Sequence, residues 1–221
     1  MSFNIEVQGG SSVRLPTAGK YCDRDIVVTA TGGSDDLAKQ IITRSIEKIA
    51  DNSIETIGEY AFCNCTSLTE ASFQNCTAVG VYAFDKSGLV TADFPKLKKV
   101  TQNSFASCTS LKNIGLPEAV QLTSNSFPWC ITLEKIDLPK VTILNTAVFK
   151  EDSMLSTLIL RSNTCCTLTG INSFDGTPIA SGTGYIYVPS ALVDRYKTAT
   201  NWSAFANQFR AIEDYPDICG G

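Results

Sequence analysis

An α/β repeat fold, mostly β, is predicted by three observations in the stretch Ile54 to Leu160. Phenylalanines recur at Phe62, Phe84, Phe105, Phe127 and Phe149, at spacings of 22, 21, 22 and 22 residues. Leucines follow in phase at Leu68, Leu89, Leu111, Leu133 and Leu155, with a second apolar column at Phe73, Phe94, Leu116, Leu138 and Leu160. Pro95, Pro117 and Pro139 stand directly after three members of that second column. A period in the twenties with Leu-x-x-Ile-x-Leu spacing is the signature of a leucine-rich solenoid.

The physics of one coil supports the assignment. In Leu111-Lys112-Asn113-Ile114-Gly115-Leu116, the apolar residues Ile114 and Leu116 alternate with polar ones, the period of a half-buried strand. Leu133 to Leu138 repeats the frame. Proline closes such a strand because it has no N–H to give to a ladder. One coil cannot bury its apolar side alone, so stacking on the next coil makes the core. Each inward Leu or Phe contributes roughly 1.5–3 kcal/mol on burial.

Taken in order, residues 1–33 lie outside the repeat. Phe3, Ile5 and Val7 alternate with polar residues, Gly9-Gly10 marks a turn, and Val13 and Leu15 form a second run. Pro16 to Gly19 turns again, and Ile26 to Ala30 reads as a strand, giving a small β module. Residues 34–53 form a linker: Ser34 or Asp35 caps a short helix through Leu37, Ala38, Ile41 and Ile42, and Ser45 to Ile49 is an incomplete first coil. The solenoid proper occupies residues 54–189. After Leu160 the period stretches, Phe149 to Phe174 being 25 residues, and Tyr185 to Val188 reads as a strand. Residues 190–221 form a C-terminal helical cap. Ser190 to Lys197 is a helix, Asn201 to Ala206 a further helical turn, and Phe209 to Ile212 a closing strand. Trp202, Phe205 and Phe209 are expected to plug the last coil, since the exposed end of a repeat stack must be covered.

The same residues carry a resemblance. Ile57-Gly58-Glu59-Tyr60-Ala61-Phe62 with Cys65-Thr66-Ser67-Leu68, and Cys108-Thr109-Ser110-Leu111 through Leu116-Pro117, resemble the BspA-like (Treponema-type) leucine-rich repeat of bacterial surface and bacteriophage proteins. The resemblance covers roughly residues 54–189 and implies adhesion or recognition rather than catalysis. Two coils depart from the pattern. The second has Lys86-Ser87-Gly88 where Cys-x-Ser is expected; the fifth has Lys150-Glu151-Asp152-Ser153, read as a looser, more polar turn. Leu15-Pro16-Thr17-Ala18-Gly19-Lys20-Tyr21-Cys22 through Ala30 resembles N-terminal segments of phage and prophage proteins of gut Firmicutes, which implies a docking module; the alternative for residues 1–33 is an N-terminal cap of the solenoid with no separate function. Tyr187-Val188-Pro189, Leu192-Val193-Asp194 and Asn201-Trp202-Ser203 resemble the C-terminal end of BspA-like proteins.

Composition narrows the partners. A net charge of −4 and a pI near 4.9 argue against nucleic acid or an anionic membrane. No apolar run approaches the ~18 residues of a membrane span. The opening Met-Ser-Phe lacks the basic flank and apolar core of a secretory signal, so the protein is expected to be made in the cytoplasm and to end on a virion or a bacterial cell surface. The nine cysteines follow the repeat, with Cys65, Cys108 and Cys130 at one coil position, the placement of small buried hydrophobes rather than of disulfides.

No cofactor or metal is expected. The sequence has no histidine, and neither Cys63-x-Cys65 nor Cys165-Cys166 has zinc-ligand spacing. The missing histidine also excludes Ser-His-Asp and Cys-His nucleophiles, and phosphate-binding loops are absent. The acidic pairs Asp35-Asp36 and Glu151-Asp152 have no partner at defined spacing. The reading is therefore a non-enzymatic recognition protein that binds a protein or surface glycan and is carried on a phage or prophage particle. Its alternatives are a cell-surface adhesin and, further off, an enzyme or subunit acting on polysaccharide. The outward residues of the strands are the candidate binding face. One column runs Glu70, Thr91, Asn113, Lys135, Thr157, and its neighbour Ser72, Asp93, Gly115, Asp137, Ile159.

Overall fold

The computed structural model describes residues 47–52 and 54–220 in full, and residues 3–7, 11–15 and 27–29 as backbone. Those three segments are strands β1 (Phe3–Val7), β2 (Ser11–Leu15) and β3 (Val27–Thr29), paired antiparallel in the order β1-β2-β3. The strands expected in the N-terminal module therefore form. The expected turns between them, the helix from Ser34 to Ile42 and the residues Ser45-Ile46 lie outside the described residues.

From Lys48 onward each coil contributes a strand on the outward face and, in all but the last, a two-residue strand on a second face. The first series is β4 (Lys48–Ala50), β6 (Glu70–Ser72), β8 (Thr91–Asp93), β10 (Asn113–Gly115), β12 (Lys135–Leu138), β14 (Thr157–Leu160) and β16 (Tyr185–Val188). The second is β5 (Thr56–Ile57), β7 (Ala78–Val79), β9 (Lys99–Val100), β11 (Gln121–Leu122), β13 (Ile143–Leu144) and β15 (Thr167–Leu168). All pairings in both series are parallel, joining residues one coil apart. The second series escaped the sequence reading because two residues are too few to show a period. The outward series is also split: β10-β8-β6-β4 forms one sheet, and β12-β14-β16 continues into a separate one.

A third side of the coil has no strand, yet is hydrogen-bonded rung by rung. Residues two before each Phe (Tyr60, Tyr82, Asn103, Asn125, Ala147) and two after (Asn64, Lys86, Ser107, Trp129, Glu151) all have positive φ, between 54° and 65°. For a non-glycine residue that conformation costs about 1–2 kcal/mol. It aims their N–H groups at the next coil: Asn64 donates to the Asp85 carbonyl at 2.8 Å, Lys86 to Ala106 at 2.8 Å, and Glu151 to Asp175 at 2.7 Å. The Phe amides between them do the same, Phe84 to Ser104 at 2.8 Å and Phe105 to Ser126 at 3.0 Å.

Inside, the repeated phenylalanines stack into a spine. Ring centroids are 5.0 Å apart from Phe62 to Phe84, 5.2 Å from Phe84 to Phe105 and from Phe105 to Phe127, and 5.9 Å onward to Phe149, Phe174 and Trp202. Beside it runs a column of small polarisable groups. Cys108 Sγ donates to the Phe84 carbonyl at 3.1 Å and Cys130 Sγ to the Phe105 carbonyl at 3.2 Å. The eight cysteines among the described residues are free thiols, and Cys65, Cys108 and Cys130, at one coil position, are buried.

The two departures from the repeat are resolved differently. In the second coil, one residue short, a Cβ on Gly88 would lie 2.0 Å from the Thr66 carbonyl oxygen, so only glycine closes the turn. The fifth coil is not the loose polar turn expected. Asp152 takes the place of the column cysteine, is fully buried, and accepts the Cys130 N–H on Oδ1 at 2.7 Å. Its Oδ2 has no hydrogen-bond partner, and burial pushes the carboxyl well above the usual carboxylate range.

The stack ends as the aromatic residues predict. Helices α1 (Pro178–Ser181) and α2 (Val193–Thr198) lead to β17 (Phe209–Ala211), which adds a parallel strand to β16. Trp202, Phe205 and Phe209 are buried against Phe174 and Tyr196. Trp202 Nε1 donates to the Cys166 carbonyl at 2.6 Å, and the Cys166 N–H to the Tyr196 hydroxyl at 2.8 Å.

Candidate binding face

Alternation along each outward strand turns every second side chain away from the spine, and the parallel registers align these into columns. Glu70 stands beside Thr91, which stands beside Asn113; Ser72 stands beside Asp93, which stands beside Gly115. In the other sheet Lys135 pairs with Thr157 and Asp137 with Ile159. The eight candidate residues are thus brought together as two groups, five on one sheet and three on the next. The hydrogen-bond ladder beneath the columns is interrupted between β10 and β12, which remain neighbours.

On the first sheet the groups are polar, mutually satisfied and open. Lys48 Nζ pairs with Glu70 Oε1 at 2.6 Å, both side chains exposed. Gln74 Nε2 donates to Asp93 Oδ2 at 2.8 Å and to Ser72 Oγ at 3.0 Å. The missing side chain of Gly115 leaves room for Asp93, whose Oδ1 would lie 2.5 Å from a Cβ there. Asn113 is exposed and Thr91 half-buried.

The second sheet is covered in part, over Ile159 and Tyr187. Beyond β17 the chain makes a 3-10 turn (Ile212–Asp214) and helix α3 (Pro216–Cys219), and this strap lies on the outward side of β14 and β16. Ile159, Tyr187 and Cys219 form a buried cluster apart from the main core, with Ile212 and Tyr215 packed on it. Tyr215 meets the Tyr187 ring edge-on, centroids 5.4 Å apart. Lys135 Nζ donates to the Ile218 carbonyl and Arg161 Nη2 to the Cys219 carbonyl. Asp137 is engaged by Arg161 through Nε at 2.9 Å and Nη2 at 2.7 Å, a two-pronged pair that raises the guanidinium above its ordinary value. Arg210 lies over the Tyr185 ring at 4.3 Å.

Sequence reading placed Ile159 in an outward column but missed Arg161, Tyr187, Tyr215 and Cys219 as members of this face. A signal was present. The position that holds Ser72, Asp93 and Asp137 in earlier coils holds Ile159 and then Tyr187, and apolar residues at an outward position mark a surface that something covers. The last residues of the chain, expected as part of an end cap, lie instead across a strand face.

Elsewhere the chemistry is muted. Cys63, Asp85 and Lys86 meet near the second coil, Cys63 Sγ 3.9 Å from Asp85 Oδ2 and Lys86 Nζ 3.9 Å from the same oxygen. Burial and then Asp85 push the Cys63 thiol up to about 11, and burial raises Asp85. Cys108 and Cys166 are pushed by burial to about 12. Thiol nucleophiles act as thiolates, so these groups are suited to packing rather than attack. Among the described residues no group of three or more Cys, Asp or Glu is placed to hold a metal ion, and no helix is long and apolar enough to cross a membrane.

Stacked coils, two parallel strand ladders and an aromatic spine define a leucine-rich repeat protein. A family model described as BspA type leucine rich repeat region matches in six copies, over residues 42–156 and 77–183, and the chain belongs to that family. A leucine-rich repeat protein of Bacteroides ovatus has a similar structure, with a TM-score of 0.52 and 19% identity over 86% of this chain. The chain spans 58% of that protein's length, and the likeness is one of fold. A leucine rich cell surface protein of Faecalibacterium prausnitzii is 20% identical over 74% of this chain and 55% of its own, at a TM-score of 0.37. No curated protein sequence matches the chain.

Proposed function

We propose that this is a non-catalytic recognition protein whose outward strand face binds a protein or a surface glycan. Residues 1–33 would dock it on a larger assembly, a phage or prophage particle. The observation that carries the reading is the β4–β6–β8–β10 sheet. Its outward side chains Glu70, Ser72, Thr91, Asp93 and Asn113 are aligned, polar and open to solvent at least in part, and they contribute nothing to the spine. Solenoids use such extended faces for binding. Lys135, Asp137 and Thr157 extend the same surface toward the strap. The domain limits at residues 33, 53 and 189 belong to this proposal.

The test is where the native protein is found. A source culture is fractionated before and after prophage induction, and virions, cell envelope and cytosol are assayed by mass spectrometry. Recovery in virions is the expected result. Recovery in the envelope of uninduced cells would replace the phage reading with a cell-surface adhesin. On purified protein, charge-removing changes at Glu70 and Asp93 are expected to lower binding to host cells without moving the melting temperature.

A further inference from the structure

We propose that the outward face of β12, β14 and β16 is a peptide-binding surface, and that the strap Ile212–Cys219 is its resident pseudo-ligand. This deepens the reading of the strand face as a binding surface, and rests on it, by naming the ligand class: a short peptide turn.

Three observations carry it. First, the strap is complementary to the face in the manner of a ligand. Tyr215 and Cys219 are four residues apart across one helical turn, so both point to the same side. The ring meets Tyr187, and the thiol is buried among Ile159 and Tyr187. Secondly, the polar contacts are those of peptide recognition. The last carbonyls of a helical turn have no partner within it, and here Lys135 and Arg161 supply donors to Ile218 and Cys219. Asp137 holds Arg161 from behind with paired hydrogen bonds, so the guanidinium is already aimed at the carbonyl. A glycan offers hydroxyls, not a pair of adjacent carbonyl oxygens beside an aromatic edge.

Thirdly, the strap's polar ties to the rest of the chain run through side chains: the Lys135 and Arg161 donors, and the Glu213 carboxylate, which accepts the Ser190 N–H at 3.0 Å. The strap's own amides bond within it: Tyr215 to Ile212, Ile218 and Cys219 to Tyr215, and Gly220 to Pro216. The strand ladder beneath is complete without it, and its apolar cluster is distinct from the main core. Another peptide of the same shape can therefore take its place while the coils stay stacked. The covalent tether sets the threshold, since a segment joined through a short link competes at about millimolar effective concentration.

The test uses the full chain and a fluorescein-labelled peptide with the sequence of residues 212–220, followed by fluorescence anisotropy. Wild type is expected to bind weakly, its site being filled. Tyr215→Ser and Cys219→Ser loosen the strap but leave the face intact, and are expected to bind the peptide at least about tenfold more tightly, as removal of an intramolecular competitor requires. Adding Arg161→Gln is expected to abolish that gain. Loosened variants that melt like wild type yet do not bind would overturn the proposal, as would equal binding by wild type.

Hydrogen exchange on the unmodified protein gives a second reading that needs no variant. The Ile218, Cys219 and Gly220 amides are expected to exchange well before those of β14 and β16. Exchange of the strap only with global unfolding would make it a permanent part of the fold and end the idea. The cell-fractionation result is independent: peptide binding by a protein absent from virions would remove the phage reading and leave this one standing.

Discussion

The β4–β10 sheet and the β12–β17 sheet come from one repeat, yet the first shows polar columns to solvent and the second is covered in part by the chain's own end. The difference turns on one coil position. Ser72, Asp93 and Gly115 occupy it in the open sheet; Asp137, Ile159 and Tyr187 occupy it in the covered one. The same backbone serves both, which teaches that the inward columns specify the fold while single outward residues decide what the surface does.

The largest expected effect tests what the two sheets share. Phe105→Ala removes a fully buried ring from the middle of the spine and is expected to cost about 3–5 kcal/mol in chemical denaturation, with both sheets melting together. The sharpest contrast comes next. Ile159→Ala, beneath the strap, is expected to cost about 2–5 kcal/mol of strap docking, read as faster exchange of the Ile218 and Cys219 amides. Asp93→Ala, at the same coil position in the open sheet, is expected to stay within about 0.5 kcal/mol. Equal costs would erase the distinction between the sheets. Gly88→Ala, confined to the short second coil, is expected to destabilise by about 1–3 kcal/mol through its clash with the Thr66 carbonyl.

A smaller effect is read through pH. Buried Asp152 has a folded-state pKa raised above its unfolded value, so its protonated form is the one the fold favours. Its contribution is fully present at pH values below the ordinary carboxylate range and is lost as pH rises toward the folded value. Asp152→Asn is therefore expected to melt higher than wild type at neutral pH, with the gap closing as the pH is lowered toward 4. Lys48→Ala, which breaks an exposed pair with Glu70, is expected to shift the melting temperature least, and less still in high salt.

The solenoid was legible because its causes are local and repeated: Phe62 to Phe149, the leucines in phase and the cysteine column each state the same constraint several times. The cap was legible from Trp202, Phe205 and Phe209, too apolar for solvent. The two-residue strands were not, since Ile57 or Val100 alone carries no period. Nor were the left-handed positions, where Trp129 and Glu151 accept a strained backbone for the sake of a rung to the next coil. Asp152 was misread because a charged residue in a departing coil suggests solvent, whereas here the carboxyl is buried and accepts the Cys130 N–H. At the candidate face, Glu70 to Thr157 could be aligned by counting, but the break between β10 and β12 and the strap depend on contacts among distant residues such as Arg161 with Cys219.

The rungs also govern how such a gene can change. Alternate amides on the third side are matched to carbonyls about one coil further on, as Phe62 is to Ala83 and Phe127 to Val148. Loss of a single residue misaligns every rung it touches, and the second coil tolerates its shortfall through Gly88. Duplication or deletion of a whole coil leaves all partners in place and moves the two ends closer together or further apart. Reach is thus the trait that selection can alter in this molecule at least structural cost, one coil at a time.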